Sequence, residues 1–199
     1  MTAFWRNSLC VVIVLVASSV FFLNGVQGEK LFLGSSGFES LSSLQKSPTG
    51  WHKTEVPKTK DYVEFIWDNE TVYKEQMSVS IKISENHPED VIAYNWYTDI
   101  QNWETGKLYE LSCWVKGESL KGPVWICVQC WDEAMTKLIN FASTQKDYPI
   151  TGTFDWQKVG TVFSVPEKTH KVVVRAGIAA PGNNGGQAWF DELHIREVK

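Results

Sequence analysis

Between Val124 and Trp131, in "VWICVQCW", Val124, Ile126 and Val128 share one parity, while Trp125, Cys127, Gln129 and Trp131 share the other. That alternation is the period of a β-strand, with branched aliphatics on one face and two indoles and an amide on the other. Two readings follow: both faces are buried and the indoles are core, or the second face is a platform for a flat ligand. Covalent chemistry finds less to work with. His52, His87, His170 and His194 are scattered among charged neighbours without metal-pair spacing, so they read as solvated side chains. The sequence has no Gly-x-Ser-x-Gly elbow and no phosphate-cradling glycine loop; "PGNNGG" at 181–186 precedes a strand and reads as a turn. Glycoside hydrolysis needs two carboxyl groups roughly 5–9.5 Å apart. Asp132, Glu133 and Glu110 are the candidates, and a rim or surface role suits them better. Cys127 and Cys130, three apart, face opposite ways on a strand and cannot clamp a metal. With Cys113 they read as buried small hydrophobes; setting aside Cys10 in the leader-like N-terminal stretch, the count is odd and allows one disulfide at most.

The elements that must carry these residues are short runs rich in valine, isoleucine and aromatics, separated by Gly, Pro and Asn turns. Strands are expected near 31–33, 61–67, 76–84, 91–98, 107–117, 123–131, 156–165, 171–179 and 187–197. Helical periodicity is almost absent, so the fold class is all-β: a two-sheet antiparallel β-sandwich or jelly roll. In "SVSIKIS", Val79, Ile81 and Ile83 form a buried face against Ser80, Lys82 and Ser84. In "YELSCWVKGE", Tyr109, Leu111, Cys113 and Val115 form the apolar set, with Glu110, Ser112, Trp114 and Lys116 opposite. If this strand pairs as a hairpin with 123–131, matching core to core places Glu110 and Trp114 beside Trp125, Gln129 and Trp131.

The N-terminal residues 1–28 read as an address. Arg6 precedes an uncharged stretch from Asn7 to Gln27 with an apolar centre from Leu9 to Leu23 and small residues near a cleavage point. Cleaved, it is a signal peptide and the chain is secreted; uncleaved, the same run is long enough to tether the protein to a membrane. Residues 29–199, about 170 in all, make one domain with a core that needs no disulfide staples. Loss of Arg6 takes the formal net charge from −4 to −5, and with no basic patch nucleic acid is excluded as a natural partner.

Several segments in order carry a resemblance: "GSSGFESL", Gly50-Trp51, "ETGKLYELSCWVKGE", the 124–129 strand, "DWQKVGTVFSVP" and the closing "AWFDELHI". The chain resembles carbohydrate-binding modules of families four, nine and twenty-two over nearly all of its mature length. The resemblance implies a galactose-binding-like jelly roll, a structural calcium near the joined termini held by Glu39 and Asp191, and a concave sheet that holds a polysaccharide or oligosaccharide. Asp61 is a weaker calcium candidate, and Glu192 stands where the family has a second aspartate.

Sugars stack their C–H faces on rings, and their hydroxyls need amide and carboxylate partners because an unmatched buried polar group is costly. The expected glycan contacts are therefore Trp96, Glu110, Trp114, Trp125, Gln129 and Trp131. In "VIAYNWYTDIQNW", Tyr94 and Trp96 share one parity and Asn95 and Tyr97 the other. Thr98 departs from the glutamine the family often has. Trp51, Trp156 and Trp189 are assigned to packing. The expected function is non-catalytic glycan binding. The rivals are a protein-recognition or adhesion domain using the same tryptophans, and a stand-alone glycoside hydrolase.

Overall fold

The computed structural model describes residues 38–39 and 47–198. The leader-like segment 1–28 and the strand expected at 31–33 lie outside them. Among the described residues ten strands form two five-stranded antiparallel sheets, the sandwich expected from the spacing of apolar runs. The first sheet has the order β1 (His52–Lys53), β4 (Ile92–Asp99), β9 (Lys171–Ala180), β6 (Trp125–Trp131), β7 (Leu138–Ser143). The second has the order β2 (Val63–Asp68), β3 (Ser78–Ile83), β10 (Gln187–Glu197), β5 (Leu108–Leu120), β8 (Gly152–Ser164). A single helical turn, α1 (Thr144–Asp147), follows β7, with the Ser143 hydroxyl accepting from Gln145 N–H as its cap.

The core is built from one parity of each strand. Val79, Ile81 and Ile83 of β3, Leu111, Cys113 and Val115 of β5, Ile126 and Val128 of β6, and Val174, Ala176 and Ile178 of β9 are all buried between the layers. The period-two patterns thus name the inward residues correctly, because a strand half-buried on one face alternates.

Trp96 is the largest residue of this core. It is fully buried, meets Phe65 of β2 edge to face at a centroid distance of 5.5 Å, and donates its indole N–H to the Ser80 carbonyl of β3 at 3.1 Å. Since β4 and β3 belong to different sheets, this side chain crosses the interlayer gap. Tyr94, two residues earlier, places its hydroxyl between Thr59 Oγ1 (2.6 Å) and His87 Nε2 (2.7 Å). His87 is therefore a buried structural residue and not the solvated one its charged neighbours suggest.

Two features differ from the sequence reading. β1 and β7 are absent from it: β1 is two residues long, and "LINFAS" has no period-two burial, with no residue fully buried. More consequentially, β5 and β6 are not a hairpin. β5 pairs with β10 and β8, β6 with β7 and β9, and the connection crosses the edge of the sandwich, where Gly122 N–H donates to Asn183 Oδ1 (2.8 Å) and Val124 N–H to Ile150 O (3.2 Å). Both strands do send their apolar parity into the core. They reach it from opposite sides, so their other parities face opposite exteriors.

Gly177 of β9 lies between Asn95 of β4 and Trp125 of β6 in register. A Cβ there would collide with the Tyr94 carbonyl and approach Asn95 Cβ to 2.8 Å and the Trp125 ring to 2.9 Å. Overpacking of this kind costs roughly 1–3 kcal/mol. Gly177→Ala should lower the urea midpoint accordingly and shift Trp125 fluorescence; a wild-type midpoint would show that the Trp125 ring does not rest on this glycine.

Candidate functional site

The outer face of the first sheet collects polar and ring-bearing side chains from five strands. Pairing aligns His52 with Tyr97, Tyr97 with Arg175, and Arg175 with Cys127. One step along the strands, Asp99, Val173, Gln129 and Phe141 form the next row, with Lys171 and Trp131 beyond. Asn95, Gly177 and Trp125 form the row on the other side. A depression of about 780 Å³ runs over β1, β4 and β9, lined among others by His52, Tyr97, Asp99, Lys171 and Arg175.

Arg175 organises this surface. Its Nε–H donates to Gln129 Oε1 (2.8 Å), a terminal N–H donates to Asn95 Oδ1 (2.8 Å), and the guanidinium carbon lies 4.9 Å from the centre of the Tyr97 ring. Trp131 also donates its indole N–H to Gln129 Oε1 (3.3 Å), and Asn95 donates to the Ala93 carbonyl (2.8 Å). Both partners of Gln129 are obligate donors, so the oxygen must face them and the amide nitrogen keeps its own donors for something else. The His52 ring lies 5.3 Å from that of Tyr97. Lys171 pairs with Asp99 at 2.9 Å. The amides and Trp131 are thus held by hydrogen bonds, and Tyr97 by contact with Arg175 and His52, before any ligand arrives.

Of the residues expected from sequence, Gln129 and Trp131 lie half-buried on this face. Trp125 shares their side but is nearly covered, at 8% exposure, and rests against Gly177. Trp96 lies between the sheets and is corrected to core. Thr98 has the same parity, and its hydroxyl donates to the Gly50 carbonyl (2.8 Å). Glu110 and Trp114 are on the opposite exterior. There Glu110 accepts from Arg196 Nε at 2.6 Å, and Trp114 stacks on Tyr73 at 3.8 Å with 16° between planes, near Trp156. Asp132 accepts from the backbone N–H groups of Thr136 and Lys137 at 2.8 and 3.0 Å, which hold its carboxyl below its usual range. Glu110 and Asp132 therefore belong to different sheets and do not form a hydrolytic pair.

Trp51 and Trp189 are buried as assigned, while Trp156 is half-buried. Cys113, Cys127 and Cys130 are buried and free, and burial pushes the Cys127 thiol up to about 12 and that of Cys130 up to about 11, so neither of these two is a nucleophile.

Sequence reasoning missed His52, Asn95, Tyr97, Phe141 and Arg175. For Asn95 and Tyr97 the signal was present: opposite parity to a Tyr-x-Trp pair large enough to fill a core. Arg175 had a comparable one, a lone charge in "VVVRAGIAA". Phe141, 51% exposed and opposite Gln129, sits on the strand that escaped notice.

The calcium reading can be tested on the donors. Glu39 accepts from Gln76 N–H (3.2 Å) and Met77 N–H (2.9 Å); Asp191 accepts from Tyr73 N–H (2.9 Å), Lys74 N–H (3.0 Å) and Glu192 N–H (2.7 Å). Glu192 is engaged by Lys74 and His194. Calcium takes six to eight oxygens, whereas this turn presents N–H groups to both carboxylates, and no cluster of three or more His, Cys, Asp or Glu that could hold a metal occurs among the described residues. Asp61 is exposed in a short 3-10 turn elsewhere. In this structure Glu39 and Asp191 fasten the 73–77 turn.

No protein-family model matches the chain, and no curated protein matches its sequence. Similar solved structures include the CBM22-1 xylan-binding domain from Paenibacillus barcinonensis Xyn10C, with TM-score 0.54 and 14% identity over 86% of this chain and 96% of that one. TmCBM61 in complex with β-1,4-galactotriose matches with TM-score 0.52 and 15% identity over 85% of this chain and 100% of that one. The chain has the two-sheet jelly-roll fold of these carbohydrate-binding modules. The fold also occurs inside longer proteins: the enzymatically active domain of bacteriophage CBA120 tailspike protein 4 matches with TM-score 0.57 and 14% identity over 77% of this chain and 20% of that one.

Within this jelly roll, burial is the largest influence on Asp191 and raises its carboxyl to about 6, against the pull of its three N–H donors. A carboxyl with a raised folded pKa contributes stability below its unfolded value of about 3.9 and loses it as pH rises through about 6. The stability of wild type relative to Asp191→Asn should therefore fall by about 2 kcal/mol between about pH 4 and pH 7. Urea denaturation of both proteins across that range measures it, and a difference independent of pH would show the carboxylate ionised throughout.

Proposed function

We propose that the protein is a secreted, non-catalytic carbohydrate-binding module that holds a glycan chain across the outer face of the β1-β4-β9-β6-β7 sheet. The observation that carries the reading is the linked set of Tyr97, Arg175, Gln129 and Trp131, in which the guanidinium lies over the Tyr97 ring and hydrogen bonds join Arg175 and Trp131 to Gln129, beside an open depression. Rings offer stacking area to pyranose C–H faces, and fixed amides select hydroxyl positions. Structures of the same fold that bind xylan and β-1,4-galactotriose support the class of ligand. The leader-like N-terminus supports export. The opposite exterior is a poorer platform, because Tyr73 already covers one face of Trp114.

Affinity should be modest, since stacking and a few hydrogen bonds must offset ordering the sugar. Titration calorimetry with soluble xylo- and β-1,4-galacto-oligosaccharides tests the proposal. Tyr97→Ala and Trp131→Ala should each weaken binding roughly tenfold, about 1.4 kcal/mol, with melting temperature near that of wild type. Trp114→Ala should leave affinity unchanged. Loss of binding in Trp114→Ala alone would move the site to the other sheet.

A further inference from the structure

Arg175 is a cation whose protein partners are neutral. Its hydrogen bonds go to the amide oxygens of Gln129 and Asn95, its ring neighbour is Tyr97, and among the described residues no carboxylate pairs with it. Arg196, the other described arginine, is paired with Glu110, whereas Arg175 has no such counterpart. A guanidinium carries five N–H donors; two are used here, three remain, and the residue lines the depression. The charges lining that depression are Lys53, Lys171 and Arg175 against Glu55 and Asp99, so it carries an excess of one positive charge on a protein whose formal net charge is −4. Lys171 and Asp99 cancel locally. Lys53 and Glu55 offset each other in number, so the excess equals one charge, and Arg175 is the cation that lies among the rings and amides of the proposed sugar platform.

Amide oxygens orient a guanidinium without neutralising it, which keeps its attraction for an anion. Half-burial beside Tyr97 and Trp131 reduces the screening that would weaken the same attraction on an open surface. A neutral sugar would use one or two of the spare N–H groups and leave the charge without a counterpart. A sugar carboxylate satisfies both.

We propose that the glycan is anionic, a chain bearing uronic acids, with a sugar carboxylate bound to Arg175 between the Tyr97 and Trp131 rings. This rests on the glycan-binding reading of the same face. The test is calorimetry of the full chain with two pairs of probes: oligogalacturonate and its methyl ester, and glucuronic acid-substituted xylo-oligosaccharide and its ester. Unsubstituted xylo- and β-1,4-galacto-oligosaccharides serve as neutral references. The expected result is that at least one acid binds tenfold or more tighter than its ester, with the preference shrinking as salt is raised to about 0.15 M. Arg175→Gln should abolish the preference, Arg175→Lys should keep part of it, and both should melt near wild type. Equal binding of acid and ester, or a preference undiminished in Arg175→Gln, overturns the anionic proposal and leaves the glycan site standing. Failure of every acid, ester and neutral chain to bind overturns the glycan reading itself.

Discussion

The indole of Trp96 reaches from β4 across the gap between the sheets and is fastened to the backbone of β3. Burying a ring of roughly 200 Å² is worth about 5 kcal/mol, and its N–H would be an orphan in the core without the Ser80 carbonyl. The strand is therefore not free to slip. A shift of one residue would expose Trp96 and Tyr94 and bury Asn95 and Tyr97. The seating of one core tryptophan thus decides which polar side chains β4 displays, and Asn95 and Tyr97 are the ones that hold and flank Arg175.

The same constraint works in reverse on β9. Arg175 stands in a strand otherwise made of small and branched apolar residues, with Val174 and Ala176 buried on either side. A charge in such a strand is tolerated only on the outer parity and only with its donors engaged. Gln129 and Asn95, from the strands on each side, accept from it. Three strands that pair for backbone reasons are thereby cross-linked through side chains on the outer face, and the ring of Trp131 is oriented through the same glutamine oxygen. Core anchoring fixes parity, parity presents the amides, and the amides aim the cation.

The metal-ligand candidates behave differently. Glu39 and Asp191 are far apart in sequence yet serve one turn, residues 73–77, whose backbone N–H groups they accept. Acids that receive several N–H donors act as fasteners of irregular backbone, and here the turn held by buried Asp191 and half-buried Glu39 carries Tyr73 over Trp114 on the opposite exterior.

The fold class was legible because period-two burial is a local property: "SVSIKIS" and "YELSCWVKGE" state their inward faces in the order of their residues. The side of "WICVQCW" that carries Gln129 and Trp131 was legible for the same reason. Which sheet a strand joins is not local. The 107–117 and 123–131 segments have matching core faces whether they pair as a hairpin or oppose each other across the core, and only the path of the connection past Asn183 and Ile150 places Glu110 and Trp114 on the far exterior. Nor could spacing show that Trp96 fills the interior while Tyr97 lies outside, since aromatic identity is common to both roles. The amino-acid order by itself determined an all-β sandwich, its core parities and a strand with outward rings. Assembly of the sheets decided which rings and amides meet around Arg175, because those contacts join residues separated by tens of positions and exist only where β4, β9 and β6 lie side by side.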